Sequence, residues 1–303
     1  MRMMTIDPQA VETPALHGQL LAAIAPRPIA FASTLDENGK PNLSPFSFFN
    51  VFSANPPIAI FSPARRVRNN TTKHTLENAK RNGEVVINVV SHSMVEQMSL
   101  SSTEYPEGVN EFEKSGFTEL ASDVVGPPRV AESPVQLECK VKEVVELGQE
   151  GGAGNLVICE IVRVHIDEKV LNEDGKIDQH KIDLVGRLGG DWYVRASGEA
   201  LFEVEKPLRT LGMGVDSIPK RIKESTFLTG NDLGKLGNVE HLPTLEEIEA
   251  YAEESYRVKE ILESSADGME AREKLHQLGH ELLEENKVEK AWKVLLVDKL
   301  NRV

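Results

Sequence analysis

Residues 135–147 (VQLECKVKEVVEL) and 156–167 (LVICEIVRVHID) alternate apolar and polar side chains for much of their length. Only an extended strand sends every second side chain to the same face. The pattern therefore demands antiparallel sheet with one face against a core. Gly151-Gly152-Ala153-Gly154 lies between the two segments and reads as a wide hairpin loop. Shorter strands are expected at 28–34 and 40–49, joined by a turn at Asn38-Gly39. Others are expected at 57–62, after the Asn55-Pro56-Pro57 break, and at β-branched 84–90 (EVVINVV).

Helical signals in this region are brief. Residues 72–82 read as a helix closed by Gly83, with Thr71 or Thr72 as its N-cap. Ser93 with Glu96, and Asn110 with Glu113, have the spacing of capping boxes. The expected class is mainly β, of the α+β type: a closed or nearly closed barrel with short flanking helices. After Pro207 the texture changes. Residues 207–243 are Gly-rich and loop-like, and 244–303 carry 15 acidic against 9 basic residues. A Thr244/Glu247 capping box opens that tail, and Leu275, Leu278 and Leu282 share one helical face. So do Ala291, Leu295 and the stem of Lys299, with Trp292 adjacent. The expected organisation is a domain over 1–206, a connecting segment over 207–243, and a solvated three-helix extension over 244–303.

Composition narrows the function classes. A formal net charge of −14 disfavours nucleic acid and anionic membrane as partners. No run of 18 apolar residues and no apolar secretory h-region occurs, and there are two cysteines, so a reducing cytoplasmic setting is expected. One basic cluster stands out, Arg65, Arg66, Arg68 and Lys73, and it is sized for a single phosphate. Neither a Gly-x-Gly-x-x-Gly after a strand nor a P-loop is present. Any nucleotide must be held by other means.

Residues 26–50 (PRPIAFASTLDENGKPNLSPFSFFN) supply such means. Ser33, Thr34, Ser44 and Ser47, with backbone groups beside Pro45, can bond to polar ring edges and phosphate, while Phe46, Phe48 and Phe49 form a wall. Taken alone, such hydroxyls read first as a solvated strand face. Their coincidence with residues 63–66 (PARR) and 69–75 (NNTTKHT), a cationic helix start, points to a flat anionic cofactor, flavin mononucleotide.

Other features read as structural. His276 and His280 have metal-sharing spacing but lack a protease glutamate, so they are taken as a surface pair. Cys139, Cys159 and His165 are expected to pack on their strands. Residues 185–195 (VGRLGGDWYVR) fit both a Gly-rich loop at a sheet edge and a cation–aromatic surface.

The run 26–50, then Asn55-Pro56-Pro57, Phe61-Ser62-Pro63, residues 73–78 (KHTLEN) and 84–90, resembles the flavin reductase-like family. Its fold is the FMN-binding split β-barrel, shared with pyridoxamine-phosphate oxidases. The resemblance covers roughly residues 22–206, and 185–193 with 228–234 (LTGNDLG) resemble a branch that has a C-terminal extension. It implies a homodimer with two flavin sites near the subunit interface. It also implies an NAD(P)H-dependent flavin reductase that moves hydride from nicotinamide C4 to flavin N5, with no protein acid or base. FMN is the implied flavin, with FAD second, and a partner oxygenase or redox protein is implied. On this chain Ser33, Thr34, Ser44, Pro45, Phe46, Ser47, Phe48, Phe49, Asn50, Ser62 and Pro63 would line the flavin, and Arg66, Lys73 and Thr75 would face its phosphate. Two departures bear on the reductant. Gly154-Asn155-Leu156 stands where the family often has Gly-Asp-His, and Lys73-His74-Thr75 replaces Lys-Asp-Thr. The alternative is an FMN-holding electron carrier, flavoredoxin-like, reduced by a partner protein.

Overall fold

The computed structural model describes residues 2–207 and 211–297. The chain divides into two compact units, Met1–Phe202 and Glu203–Val303.

The first unit opens with helix α1 (Thr13–Ala23) and strands β1 (Ala30–Leu35), β2 (Pro41–Phe46), β3 (Phe49–Ala54) and β4 (Pro57–Phe61). Helix α2 (His74–Asn82), strand β5 (Glu84–Val89) and helices α3 (Val95–Leu100) and α4 (Glu111–Ser115) follow. Then come β6 (Glu119–Leu120), β7 (Arg129–Val130) and the two twelve-residue strands β8 (Val135–Glu146) and β9 (Asn155–Ile166). Strands β10 (Val185–Arg187) and β11 (Tyr193–Arg195) close the unit.

Seven strands form one sheet in the order β2-β1-β5-β8-β9-β4-β3, and its pairings are antiparallel. Register shifts between Glu138 and Cys139 and between Val141 and Glu143 put bulges in the β8–β9 ladder. Bulges increase twist and bend a strand, which is how long strands curl into a barrel. One apolar cluster joins Ala30, Ala32, Phe46, Phe61, Ile87, Cys139 and Cys159 with Leu76 and Ala79 of α2. The intervening Phe31 packs on the other side, with Met94, Met98, Phe112 and Phe117. The period-2 alternation thus sorts β1 onto two cores rather than onto one core and water. The two cysteines are free and buried, and burial pushes Cys159 up to about 12, so they act as apolar filler.

The β1–β2 turn is where Asn38-Gly39 predicts it, with Gly39 at φ +75°. Asp36 anchors it, its Oδ1 accepting from the amides of Asn38 and Lys40 at 2.8 and 2.9 Å. The strand expected over 40–49 ends at Phe46 instead. Ser47-Phe48 carries the chain from edge strand β2 to the opposite edge, where Phe49 of β3 pairs with Phe61 of β4. The barrel is split at that step. Phe46 and Phe49 both contribute to the same core cluster, so burying each of them forces the chain to break between them.

Helix α2 starts at His74, two residues later than expected, and no side chain caps it. Lys73 holds the N-cap position and has no acceptor to offer. Gly83 ends the helix at φ +67° as predicted. Ser93 is likewise no cap: a 3-10 turn spans His92–Met94, α3 begins at Val95, and the Ser93 hydroxyl bonds that of Ser91. Asn110 does cap α4, accepting from Phe112 N at 2.9 Å.

The second unit contains α5 (Lys220–Lys223), α6 (Gly230–Gly237), α7 (Leu245–Glu254), α8 (Tyr256–Ser264), α9 (Gly268–Glu284) and α10 (Val288–Leu295). The stretch read as loop-like therefore holds α5 and α6, and the tail read as three helices has four among the described residues. Ser255 and Asp267, each accepting backbone N–H groups, cap α8 and α9 and divide what looks continuous in sequence. The unit has its own core: Ile222, Leu236, Ile248, Val258, Leu275 and Trp292 are buried together, and Trp292 Nε1 donates to the Leu236 carbonyl at 3.1 Å. It is more than a solvated stripe. Leu278, Leu282, Ala291 and Leu295 face this core as their spacing predicts, while Lys299 lies outside the described residues. No described helix is long and apolar enough to cross a membrane.

Candidate functional site

The N-terminus of α2 opens into a polar cleft lined by Asn42 and Ser44 of β2, Arg66, Lys73, His74, Thr75, the 102–105 segment after α3, and Glu111 of α4. Arg66 is held from behind. Its Nη1 donates to Thr71 Oγ1 at 2.9 Å and to the Thr72 carbonyl. Its Nε donates to Glu104 Oε1 at 3.2 Å, and Glu104 also receives Arg68. Lys73 is different. Its ammonium is half-buried and donates no hydrogen bond among the described residues. Burial pulls its pKa down, the nearby Arg66 charge pulls it further, and Glu104 only partly opposes them.

The floor of the cleft is a closed polar network. Thr75 Oγ1 donates to Asn42 Oδ1 at 2.8 Å, and Asn42 Nδ2 donates to Glu111 Oε1 at 2.9 Å. Glu111 Oε2 accepts from Leu43 N at 3.0 Å. Burial raises the Glu111 carboxyl above its ordinary value despite these donors. Thr75 and Asn42 are buried in the cleft lining, Thr75 bonded to Asn42 and Asn42 to Glu111, so the network fixes the shape of the cleft.

The remaining sequence-predicted residues fall into two groups. Pro45, Ser47, Phe48, Phe49 and Asn50 sit along the β2–β3 crossing and are at least partly accessible. Ser33, Thr34, Phe46, Ser62 and Pro63 are buried. The Ser33 hydroxyl donates to the Pro128 carbonyl, and Thr34 Oγ1 accepts from Asn78 Nδ2 at 3.1 Å. Phe46 packs against Phe61, and Ser62 Oγ accepts from Asn155 N at 3.0 Å. The Pro63 carbonyl accepts from Asn155 Nδ2 at 2.8 Å. These five side chains pack or bond within the barrel, with Phe46 and Ser62 keeping 8% of their surface exposed.

Arg27 is a residue that sequence reasoning passed over. It is buried; Nη1 donates to the carbonyls of Leu21 and Ile24 at 2.5 and 2.8 Å, and Nη2 to Leu188 O at 2.9 Å. Nε reaches Ser47 Oγ at 3.3 Å. One guanidinium thus ties the end of α1 and the β10–β11 loop to the β2–β3 crossing. Asn42, His74, Ser102, Thr103, Glu104, Tyr105 and Glu111 were also missed. They come from four separate segments, and no spacing in the chain links them.

Two further clusters are structural. Ligand atoms of Asp123, Glu138 and His165 lie within 4.8 Å of one another. Glu138, however, already accepts from the amides of Asp123, Val124 and Val125 and bonds His165 Nε2 at 2.7 Å. Its lone pairs are taken. In the second unit the histidines are not a surface pair: His276 is buried, and His280 Nδ1 bonds Asp232 Oδ2 at 2.9 Å. Asp232 is also the capping-box partner of Thr229.

Comparison with known proteins agrees with the barrel. A family model described as flavin reductase like domain matches residues 22–181. An uncharacterized protein of Halalkalibacterium halodurans is 36% identical over 206 residues, 67% of this chain and 97% of that protein. Among solved structures, nitrilotriacetate monooxygenase component B from Bacillus cereus is 30% identical with a TM-score of 0.63, covering 67% of this chain and all of that one. Flavoredoxin of Desulfovibrio vulgaris (Miyazaki F) shares the fold at 23% identity and TM-score 0.52, over 66% of this chain and 97% of its own.

Proposed function

This chain belongs to the flavin reductase-like family, and on that premise we infer that its barrel holds FMN and serves as an oxidoreductase drawing electrons from NADH or NADPH. The observation that carries this reading is the α2 cleft. A half-buried ammonium without a protein acceptor, a guanidinium braced by Thr71 and Thr72, and an uncapped helix N-terminus together suit a phosphate monoester. Lys73, Arg66 and the first amides of α2 would hold the phosphate, with Ser44 at the rim. Ser47, Phe48 and the backbone of the 45–50 crossing would take the ring system, with Arg27 fixing Ser47 from behind. FMN, when bound, supplies the two-electron chemistry, and the protein binds, orients and shields it.

A second copy of the chain completes the unit. Edge strand β3 leaves Val51 and Phe52 exposed, Phe52 at 65%, and β9 leaves Val162, Val164 and Ile166 exposed on one face. Alternating exposed apolar residues on a long strand suit a sheet-to-sheet homodimer contact. Because the Bacillus cereus relative is a monooxygenase component, a partner oxygenase is the proposed electron acceptor. The second reading is an FMN-holding electron carrier reduced by a partner protein. Leu156, standing where the family often places histidine, favours it.

Purified protein is titrated with FMN, then mixed anaerobically with NADH and NADPH. Bleaching of the flavin by either nucleotide supports the reductase, and indifference to both supports the carrier. A protein that takes up no flavin sinks both.

A further inference from the structure

The cleft contains a carboxylate that a phosphate site does not need. Glu104 bonds Arg66 Nε and Arg68 Nη2 with a side chain 44% exposed. It is not what holds Arg66 in place, because Thr71 Oγ1 and the Thr72 carbonyl already brace Nη1. What Glu104 does is occupy the guanidinium edge that a ligand anion would use.

The chain before it is pinned. Ser101, Ser102 and Thr103 each donate a hydroxyl hydrogen bond back to the carbonyls of Met98, Ser99 and Leu100 at the end of α3. Glu104 is the first residue past these bonds, so a side-chain rotation frees it without unravelling α3. Charge also matches. With Glu104 turned away, the three cations Arg66, Arg68 and Lys73 face the phosphate, while Glu111 on the cleft floor stays bonded to Asn42 and the Leu43 amide. A phosphate monoester carries about −1.5 to −2 at neutral pH.

Building on the flavin reading above, we propose that Glu104 is an internal anion that competes with the flavin phosphate for Arg66 and Arg68, making the bound flavin exchangeable rather than permanently held. In the free protein the carboxylate satisfies the two guanidinium groups. On binding, phosphate oxygens take over those donors and Glu104 turns to solvent, and reversal of the exchange assists release. The consequence is a site that loads and unloads FMN, as a reductase handing flavin to another protein requires.

The test is Glu104→Gln, which keeps shape and removes charge at an exposed position. Wild type and variant are titrated with FMN and with riboflavin by flavin fluorescence, and inorganic phosphate is used to compete FMN away. The variant is expected to bind FMN about three- to tenfold tighter, in line with removing a half-exposed carboxylate from a cation cluster. Riboflavin, which lacks the phosphate, should bind both proteins equally. Inorganic phosphate itself should bind the variant tighter by a similar factor, read from its competition with FMN. A variant that binds FMN no better than wild type overturns the competition while leaving the flavin reading intact. Wild type that binds neither flavin overturns that reading and the competition with it.

Discussion

Lys73→Met separates a ligand group from a structural one, because the two roles predict opposite signs for stability. Lys73 is half-buried, donates no hydrogen bond among the described residues, and sits beside Arg66. Removing the charge from the free protein relieves desolvation and like-charge repulsion while breaking no bond, so the unliganded variant should be more stable than wild type. Its lowered pKa gives a pH signature as well. Between the folded value and the ordinary 10.5 the unfolded chain binds more protons, so wild-type stability should rise with pH across that window and the variant should lack the rise.

With FMN bound the sign reverses. A charge-assisted hydrogen bond contributes about 1.5–3 kcal/mol, so losing the ammonium should weaken FMN about 10- to 150-fold. Riboflavin affinity should hardly move. Urea unfolding of the free protein and fluorescence titration with both flavins measure all of this on two samples. Destabilisation of the free variant would refute the argument, since it would mean Lys73 is satisfied within the protein. Equal losses for FMN and riboflavin would refute it too, by placing Lys73 away from the phosphate.

Two further outcomes follow from buried polar groups. Glu138→Gln turns an amide NH2 toward backbone N–H donors of the 123–125 segment, so unfolding free energy should drop by about 3 kcal/mol. Burial raises the Glu138 carboxyl, but its backbone donors and His165 outweigh that and hold it below 4.5; wild-type stability should therefore fall as pH drops below 4.5, a limb the variant lacks, and a loss under 1 kcal/mol at pH 7 would contradict the assignment. Arg27→Met strands the carbonyls of Leu21, Ile24 and Leu188, with an expected cost of about 3–5 kcal/mol and weaker binding of FMN and riboflavin alike, because Ser47 loses its brace. Arg27→Lys should not rescue it, since an ammonium cannot serve carbonyls on two sides as the forked guanidinium does, and full rescue in denaturant melts would count against this role.

The local chemistry of the chain was legible in its sequence. Alternation in β8 and β9, the Asn38-Gly39 turn and the Gly83 helix stop each depend on near neighbours, and the strands, turn and stop appear as read, although the alternating Val162, Val164 and Ile166 of β9 are exposed rather than set against a core. The cationic helix start was legible for the same reason, because Arg66, Lys73 and the α2 N-terminus are close in sequence. Residue type alone could not say which hydroxyls are free. Ser33 and Thr34 look identical to Ser44 and Ser47 in a list of letters, yet the first two are consumed by Pro128 and Asn78, residues 95 and 44 positions away. The break after Phe46 was also hidden, since it follows from two edges of one sheet having to be bridged. The second unit's core is a similar case: Leu236 and Trp292 meet 56 residues apart, so the apolar positions of 211–243 had no visible partner. Sequence determined the pieces whose causes lie within a turn or two. Tertiary structure decided which polar groups remain free for a ligand, because satisfaction of a buried hydrogen-bonding group is a property of whatever distant segment the fold brings against it.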